Sequence, residues 1–137
     1  MIYKNACING KRVDIKAIDG KISYIGKTDK DGFDTKNRKV FAGLVDIHSH
    51  GCIGFDTMDG THLDEMSAFM EKNGVTSWLP TTMLPTTMSM GMDTIKRVVN
   101  GKILNSKGAE VLGYHLEGPY ISAKYKGRKM KNTARYQ

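Results

Sequence analysis

Two histidines spaced two residues apart, His48 and His50, with Gly51 directly after them, are the residues of this chain best suited to chemistry. In an extended strand, residues i and i+2 point to one face, so both imidazoles can aim at a single point. That is chelate geometry, and neutral imidazole is a good ligand for zinc, iron or nickel. A second pair, His115 and Glu117, repeats the spacing and is followed by Gly118-Pro119, which forces a chain out of a sheet. An unpaired carboxylate at the end of an apolar strand costs roughly several kcal/mol, so Glu117 calls for a cation, a metal or good donors, and could share or bridge metal ions with the histidines. Plainer readings stand beside these. A bare His-x-His recurs by chance, and Glu117 could serve a salt bridge or anchor a loop. Thr81-Thr82 could bond a ligand or a histidine, but a threonine pair more often makes a turn or a cap, and that reading is taken here. His62 reads as an exposed residue at a helix start. Cys52 could be a third ligand or a pocket wall, with a buried structural thiol preferred.

These residues need strands to carry them. Residues 1–40 predict a small antiparallel meander, with strands over 2–8, 13–17 and 21–26 joined by the hairpin signals Asn9-Gly10 and Asp19-Gly20. The polar stretch 28–39 predicts a loop or linker, and a boundary falls near Val40. The pattern then changes. Residues 43–47, apolar and β-branched, predict a strand buried on both faces. Residues 63–73 predict a helix, with Thr61 and Asp64 in capping-box spacing, Leu63, Met66 and Met70 on one face and Gly74 closing it. Strands over 75–79 and 111–116 and a helix over 89–104 complete an order of strand, helix, strand, helix, strand. That is the order of parallel βαβ units, which place sites at the C-terminal ends of strands, where His48-Ser49-His50, Thr81-Thr82 and His115-Leu116-Glu117 all fall. The nine methionines are read as packing residues.

The residues that carry these expectations also resemble a known family. Gly43-Leu44-Val45-Asp46-Ile47-His48-Ser49-His50-Gly51, followed by Gly54, Asp56 and Asp59-Gly60, is similar to the first barrel strand of the amidohydrolase superfamily. More narrowly, the chain resembles the N-acetylglucosamine-6-phosphate deacetylases. Residues 74–82 and the string Gly113-Tyr114-His115-Leu116-Glu117-Gly118-Pro119-Tyr120 are similar to that family's second and third strand motifs, in the same order. The His-Leu-Glu-Gly-Pro string discriminates, because His-x-His alone is shared by many amidohydrolases. The resemblance covers residues 1 to 127, with Ala42 standing where the family usually has proline. It implies an α/β fold: the first three strands of a (β/α)₈ TIM barrel over 41–123, preceded over 1–40 by part of a small antiparallel β-sandwich domain. It implies metal-dependent removal of acetate from N-acetylglucosamine 6-phosphate, an amino-sugar phosphate substrate, by a homo-oligomeric enzyme. His48, His50 and Glu117 match metal-ligand positions, for zinc or iron and, since the His-x-His pair is present, for two ions. The remaining ligands, the catalytic aspartate and the phosphate-holding groups come from later strands of the family, so the chain is expected to be inactive alone.

Length and charge bear on the same point. The chain has 137 residues and a formal net charge of +7, and is 39% hydrophobic, 26% charged and 8% aromatic. That is a globular composition of one ordinary domain's length, about half of what a (β/α)₈ barrel takes. Residues 1–40 carry +5, residues 41–123 carry −4 and residues 124–137 carry +6, so the basic excess is largely a terminal property. The family resemblance breaks within that basic tail, past Gly127, at Arg128-Lys129-Met130. One back-translation of 127–133, GGG CGC AAA ATG AAA AAT ACN, read from its third base encodes Ala-Gln-Asn-Glu-Lys-Tyr, which is similar to the family's continuation. The tail is therefore expected to be out of frame from about residue 128. Two other classes compete with this reading: another amidohydrolase, such as a dihydroorotase or an aminohydrolase, and a non-catalytic fragment or anion or nucleic-acid binder acting through the tail. The tail lacks interleaved aromatics apart from Tyr125 and Tyr136, which argues against nucleic acid. Cys7 and Cys52 lie too far apart in sequence for a Cys-x-x-Cys site, and no signal peptide or membrane-length apolar run is visible, so a cytoplasmic location without a membrane partner is expected.

Overall fold

The computed structural model describes residues 1–58, 60–83, 92, 96, 107–117 and 124. The chain forms two compact units, Met1–Ala42 and Gly43–Gln137. The helix expected over 89–104 lies outside the described residues except for Met92 and Lys96, both helical; Gly118-Pro119 and the tail beyond Lys124 also lie outside them.

The first unit is a sheet of β1 (Ile2–Ile8), β2 (Lys11–Ile18), β3 (Lys21–Gly26) and β4 (Phe33–Asp34), in the order β3-β2-β1-β4. Both hairpin turns form where the sequence marks them. Asn9-Gly10 and Asp19-Gly20 hold φ of 49° and 77°, and of 50° and 73°, the left-handed pairs that two-residue hairpins require. The stretch expected to be a loop, 28–39, contains β4, which runs parallel to β1, so the unit is not a purely antiparallel meander. Its strand character comes from partners rather than from pattern. The Thr35 amide and hydroxyl both donate to Lys4 O at 2.9 Å, and Phe33 meets Tyr3 edge to face at 6.4 Å.

The second unit begins with β5 (Leu44–Ser49), continues through a short hairpin of β6 (Gly51–Cys52) and β7 (Phe55–Asp56), and enters α1 (Leu63–Lys72). β8 (Val75–Met83), β9 (Glu110–Val111) and β10 (His115–Glu117) follow, and β5, β9 and β10 all pair parallel to β8. Four expectations need correction. β8 runs on through Thr81-Thr82, so those threonines belong to a strand and not to a turn or cap. The strand expected over 111–116 is two short strands interrupted at 112–114. α1 starts without the Thr61–Asp64 box: His62 is the N-cap and makes no side-chain cap hydrogen bond. β5 is not buried on both faces: Leu44 and Ile47 are each 62% exposed, and among the described residues no element covers them and β5 ends the sheet.

The core lies between α1 and the sheet. Leu63, Met66 and Met70 form the expected apolar face and pack with Trp78, Ala109 and Val111. The Trp78 indole N–H donates to the buried Ser67 hydroxyl at 2.9 Å, so the one polar atom of that ring is satisfied inside the core. Gly108 brings its backbone against α1, where a Cβ would run into the main chain of Ser67 and Ala68. Gly74, at φ 87°, ends the helix, and its N–H donates to Glu71 O at 3.0 Å.

Candidate metal centre

The C-terminal end of β5 presents both histidines to one point. His48 Nε2 and His50 Nε2 lie 3.2 Å apart, and β10 brings Glu117 Oε2 to 3.0 Å from His50 Nε2 and 3.6 Å from His48 Nε2. All three ligand atoms lie within 4.8 Å of one another. The triangle can be tested against a tetrahedral ion. Donors about 2.0–2.1 Å from such an ion stand about 3.3 Å from each other, which is what these three edges average. Two imidazoles and one carboxylate are also the donor set that borderline divalent ions prefer. The residues present therefore fit a metal ion. The imidazoles are 46% and 41% exposed and the carboxylate 26%, so the triangle opens to solvent.

The backbone that carries the histidines is irregular. Asp46 pairs with Trp78 and Ser49 with Pro80, so three steps along β5 face two along β8. Such a bulge re-aims side chains, and Pro80 brings no N–H to the ladder beside it. Side chains take over the hydrogen bonding. The His48 N–H donates to Asp46 Oδ1 at 3.0 Å, and the Ser49 N–H donates to Thr81 Oγ1 at 3.0 Å. The Thr57 N–H donates to His50 O at 2.9 Å. The Thr57 hydroxyl lies 2.6 Å from Thr81 O and 3.1 Å from His50 O. Thr57 and Thr81 are fully buried.

His115, the partner of Glu117 in the second sequence pair, sits outside the triangle. Its Nδ1 lies 2.8 Å from Ile47 O, and because a carbonyl only accepts, Nδ1 carries the proton. Its ring packs against that of His48 with centroids 4.6 Å apart. Cys52 is absent from the donor cluster formed by the described residues. It packs against the core, and burial, with the Asp46 charge second, pushes its thiol up from the ordinary value. His62, expected to be exposed, is half-buried; it stacks on Phe55 at 4.0 Å, and its Nδ1 lies 3.3 Å from Glu65 Oε1. That proximity contributes to lowering the Glu65 pKa, after the backbone hydrogen bond that is its largest cause.

Local sequence pattern does not mark Thr57, and it gives Thr81 no more than a turn or a cap. Pro80 was the available signal, because proline inside a strand implies an irregular ladder whose polar groups need other partners. The β6–β7 hairpin is likewise unmarked in the sequence pattern. Its Ile53-Gly54 turn, with φ of 48° and 85°, depends on a non-glycine residue in the left-handed region, which propensity does not foresee. The hairpin makes one wall of an open depression of about 400 Å³ lined by His50, Gly51, Cys52, Gly54, Phe55 and Asp56.

No family model matches the chain. Curated relatives do. The chain is similar to an N-acetylglucosamine-6-phosphate deacetylase of Vibrio furnissii, 36% identical over 107 residues, covering 77% of this chain and 27% of that protein. It is also similar to an N-acetylglucosamine-6-phosphate deacetylase of Bacillus subtilis strain 168, 32% identical over 145 residues, covering 98% of this chain and 36% of that protein. Among solved structures, the N-acetylglucosamine-6-phosphate deacetylase of Thermotoga maritima matches with a TM-score of 0.78 at 30% identity, over 98% of this chain and 37% of that one. The chain thus spans about a third of the length of the relatives it matches.

Proposed function

Because the chain belongs to the N-acetylglucosamine-6-phosphate deacetylase family, of whose members it spans about a third, we propose that it supplies the first metal-binding portion of an enzyme that hydrolyses the acetamide of N-acetylglucosamine 6-phosphate. The observation that carries this reading is the convergence of His48, His50 and Glu117 from two parallel strands on one solvent-open point. In this reading residues 1–40 are part of a small β-sandwich domain, residues 41–123 are the first three strands of a (β/α)₈ barrel and residues 124–137 are a basic tail, out of frame from about residue 128. A phosphorylated sugar is a metabolite of the cytoplasm, and the reading carries that location with it, together with the homo-oligomeric assembly that the family resemblance implies.

His48, His50 and Glu117 would hold a divalent ion, zinc or iron; these three donors serve one ion, and a second takes further ligands. Bound there, the ion supplies Lewis acidity, lowering the pKa of water and polarising a carbonyl oxygen. The chain's own residues do the rest of what this portion contributes. The open depression beside His50 admits the acetamide, and Gly51 lets the chain pass close to Phe55 O, where a Cβ would collide. Asp56 Oδ1 accepts the Met58 N–H at 2.8 Å, which commits that carboxylate to shaping the turn. Water adds to the acetyl carbon, the C–N bond breaks, the departing nitrogen takes a proton, and acetate and glucosamine 6-phosphate result. The family resemblance assigns that proton transfer to an aspartate on a later strand, so the 137-residue chain by itself binds metal without turnover.

A chimera tests the proposal. Residues 43–117 replace the matching stretch of the Bacillus subtilis relative, and acetate release from N-acetylglucosamine 6-phosphate is measured with and without His48→Ala. The expected outcome is turnover in the chimera, lost with His48→Ala. A folded, zinc-loaded chimera that releases no acetate overturns the reading, and so does turnover that survives His48→Ala together with His50→Ala.

A further inference from the structure

We propose that His115 is a positioning residue for the metal site, acting with Thr81 and Thr57 to fix the β5 bulge that sets the approach of the two imidazoles; the inference rests on the metal reading above. Around the bulge, four consecutive residues have a peptide group held by a side chain or an amide outside the strand ladder: Ile47 O by His115 Nδ1, His48 N–H by Asp46, Ser49 N–H by Thr81, and His50 O by Thr57. Asp46 belongs to β5 itself, whereas Thr81 comes from β8, His115 comes from β10, and Thr57 follows the β6–β7 hairpin.

His115 makes two contacts that act on His48. Its N–H fixes the carbonyl of Ile47, and hence the peptide plane from which the His48 Cα hangs. Its ring packs against the His48 imidazole and limits that ring's rotation. Donation from Nδ1 to a carbonyl also locks the His115 tautomer, so the contact is directional rather than a loose packing arrangement. The same three-residue strand that carries Glu117 thus aligns the histidine that Glu117 faces across the sheet. Thr81 does the equivalent from β8. Its buried hydroxyl takes the N–H of Ser49 between the two histidines, while its carbonyl accepts from the Thr57 hydroxyl.

The full chain is compared with His115→Phe, which keeps a ring but loses the donor; His115→Asn, whose amide N–H sits where Nδ1–H does; Thr81→Val; and Thr81→Ser. The readouts are the zinc dissociation constant, by competition with a chromophoric chelator, and long-range ¹⁵N–¹H correlations of the imidazoles in the metal-free chain. Losing an outer hydrogen-bond partner of a metal ligand costs about 10–100-fold in affinity. That loss is expected in His115→Phe and Thr81→Val, with His115→Asn and Thr81→Ser restoring affinity to within about threefold. In the metal-free wild type His115 should appear as the Nδ1–H tautomer, and the His48 ring signals should move in His115→Phe. The inference is overturned if His115→Phe binds zinc like wild type, if His115→Asn is as weak as His115→Phe, or if His115 is the Nε2–H tautomer. Should His115→Phe fail to fold, the Thr81→Val and Thr81→Ser pair and the wild-type tautomer still decide it. Equal zinc binding by wild type and His48→Ala would instead defeat the metal reading, while the tautomer and the His48 ring shift would still judge the positioning.

Discussion

Among the described residues, each unit holds a cluster in which a carboxylate meets basic groups across strands, around Asp14 in the first and Glu117 in the second, and these two are built to opposite ends. In the first unit Asp14 is buried on β2, where its two oxygens accept the N–H groups of Asn5 and Thr28 and face Lys4 Nζ at 3.1 Å. Lys4 in turn donates to Thr28 O. Those contacts, the Asn5 and Thr28 hydrogen bonds first, hold the Asp14 carboxyl at a pKa of about 2. The Asn5 N–H reaches Asp14 because Asn5 sits in the β1 bulge with φ 57°, so a strand irregularity is spent on satisfying an internal charge. In the second unit the β5 bulge does the reverse, turning two imidazoles and a carboxylate toward one another at a solvent-open edge. The same backbone device closes one cluster on itself and leaves the other arranged around a point that a small cation fits.

That contrast can be broken most directly at the open cluster. His48→Ala with His50→Ala is expected to weaken zinc binding by more than about a hundredfold, beyond the 10–100-fold loss typical of outer partners, measured by chelator competition. Mutating Asp14 should leave zinc affinity unchanged, and a comparable loss there would erase the distinction between the clusters. Next in size is stabilisation by the ion. Zinc at about 100 times its dissociation constant should stabilise the second unit by about 2.7 kcal/mol, seen as protection of α1 and β8 amides from hydrogen exchange, with β1–β3 unaffected.

Acid should act on the other cluster. The folded pKa of Asp14 is depressed below its ordinary value of 3.8, so its stabilisation is fully present above pH 4 or so and is lost as pH falls through about 2. Loosening of β1–β2 amides over that window, flattened in Asp14→Asn, is the expected result. The smallest effect concerns Cys52. Its alkylation should follow a pH profile displaced to the alkaline side of an ordinary thiol, because burial raises its pKa, and should be indifferent to zinc. Protection by zinc would make it a donor after all.

Much of the fold was legible because its signals are local. Asn9-Gly10 and Asp19-Gly20 specify left-handed turn pairs by steric tolerance alone, and Leu63, Met66 and Met70 specify one helix face by spacing alone. β4 was not legible, because Phe33-Asp34 becomes a strand through bonds to Lys4 and contact with Tyr3, some thirty residues away in sequence. The capping box failed for a related reason: its spacing permits a bond that the chain's path into α1, through His62, does not make. At the site, His48 and His50 could be paired from their separation of two, whereas the joining of Glu117 to them depended on β5 and β10 flanking the same strand.

The sequence by itself therefore determined which groups could bind a metal and on which kind of strand they would ride, because residue chemistry and the two-residue strand period are properties of short segments. Only the tertiary structure decided how they meet. The separation of the imidazoles follows from one extra residue in β5, a proline opposite it, and the hydroxyls and ring nitrogen that take up the hydrogen bonds around it. Those partners come from segments up to 68 residues distant, and a hydrogen bond acts over about 3 Å of space, whatever the distance along the chain.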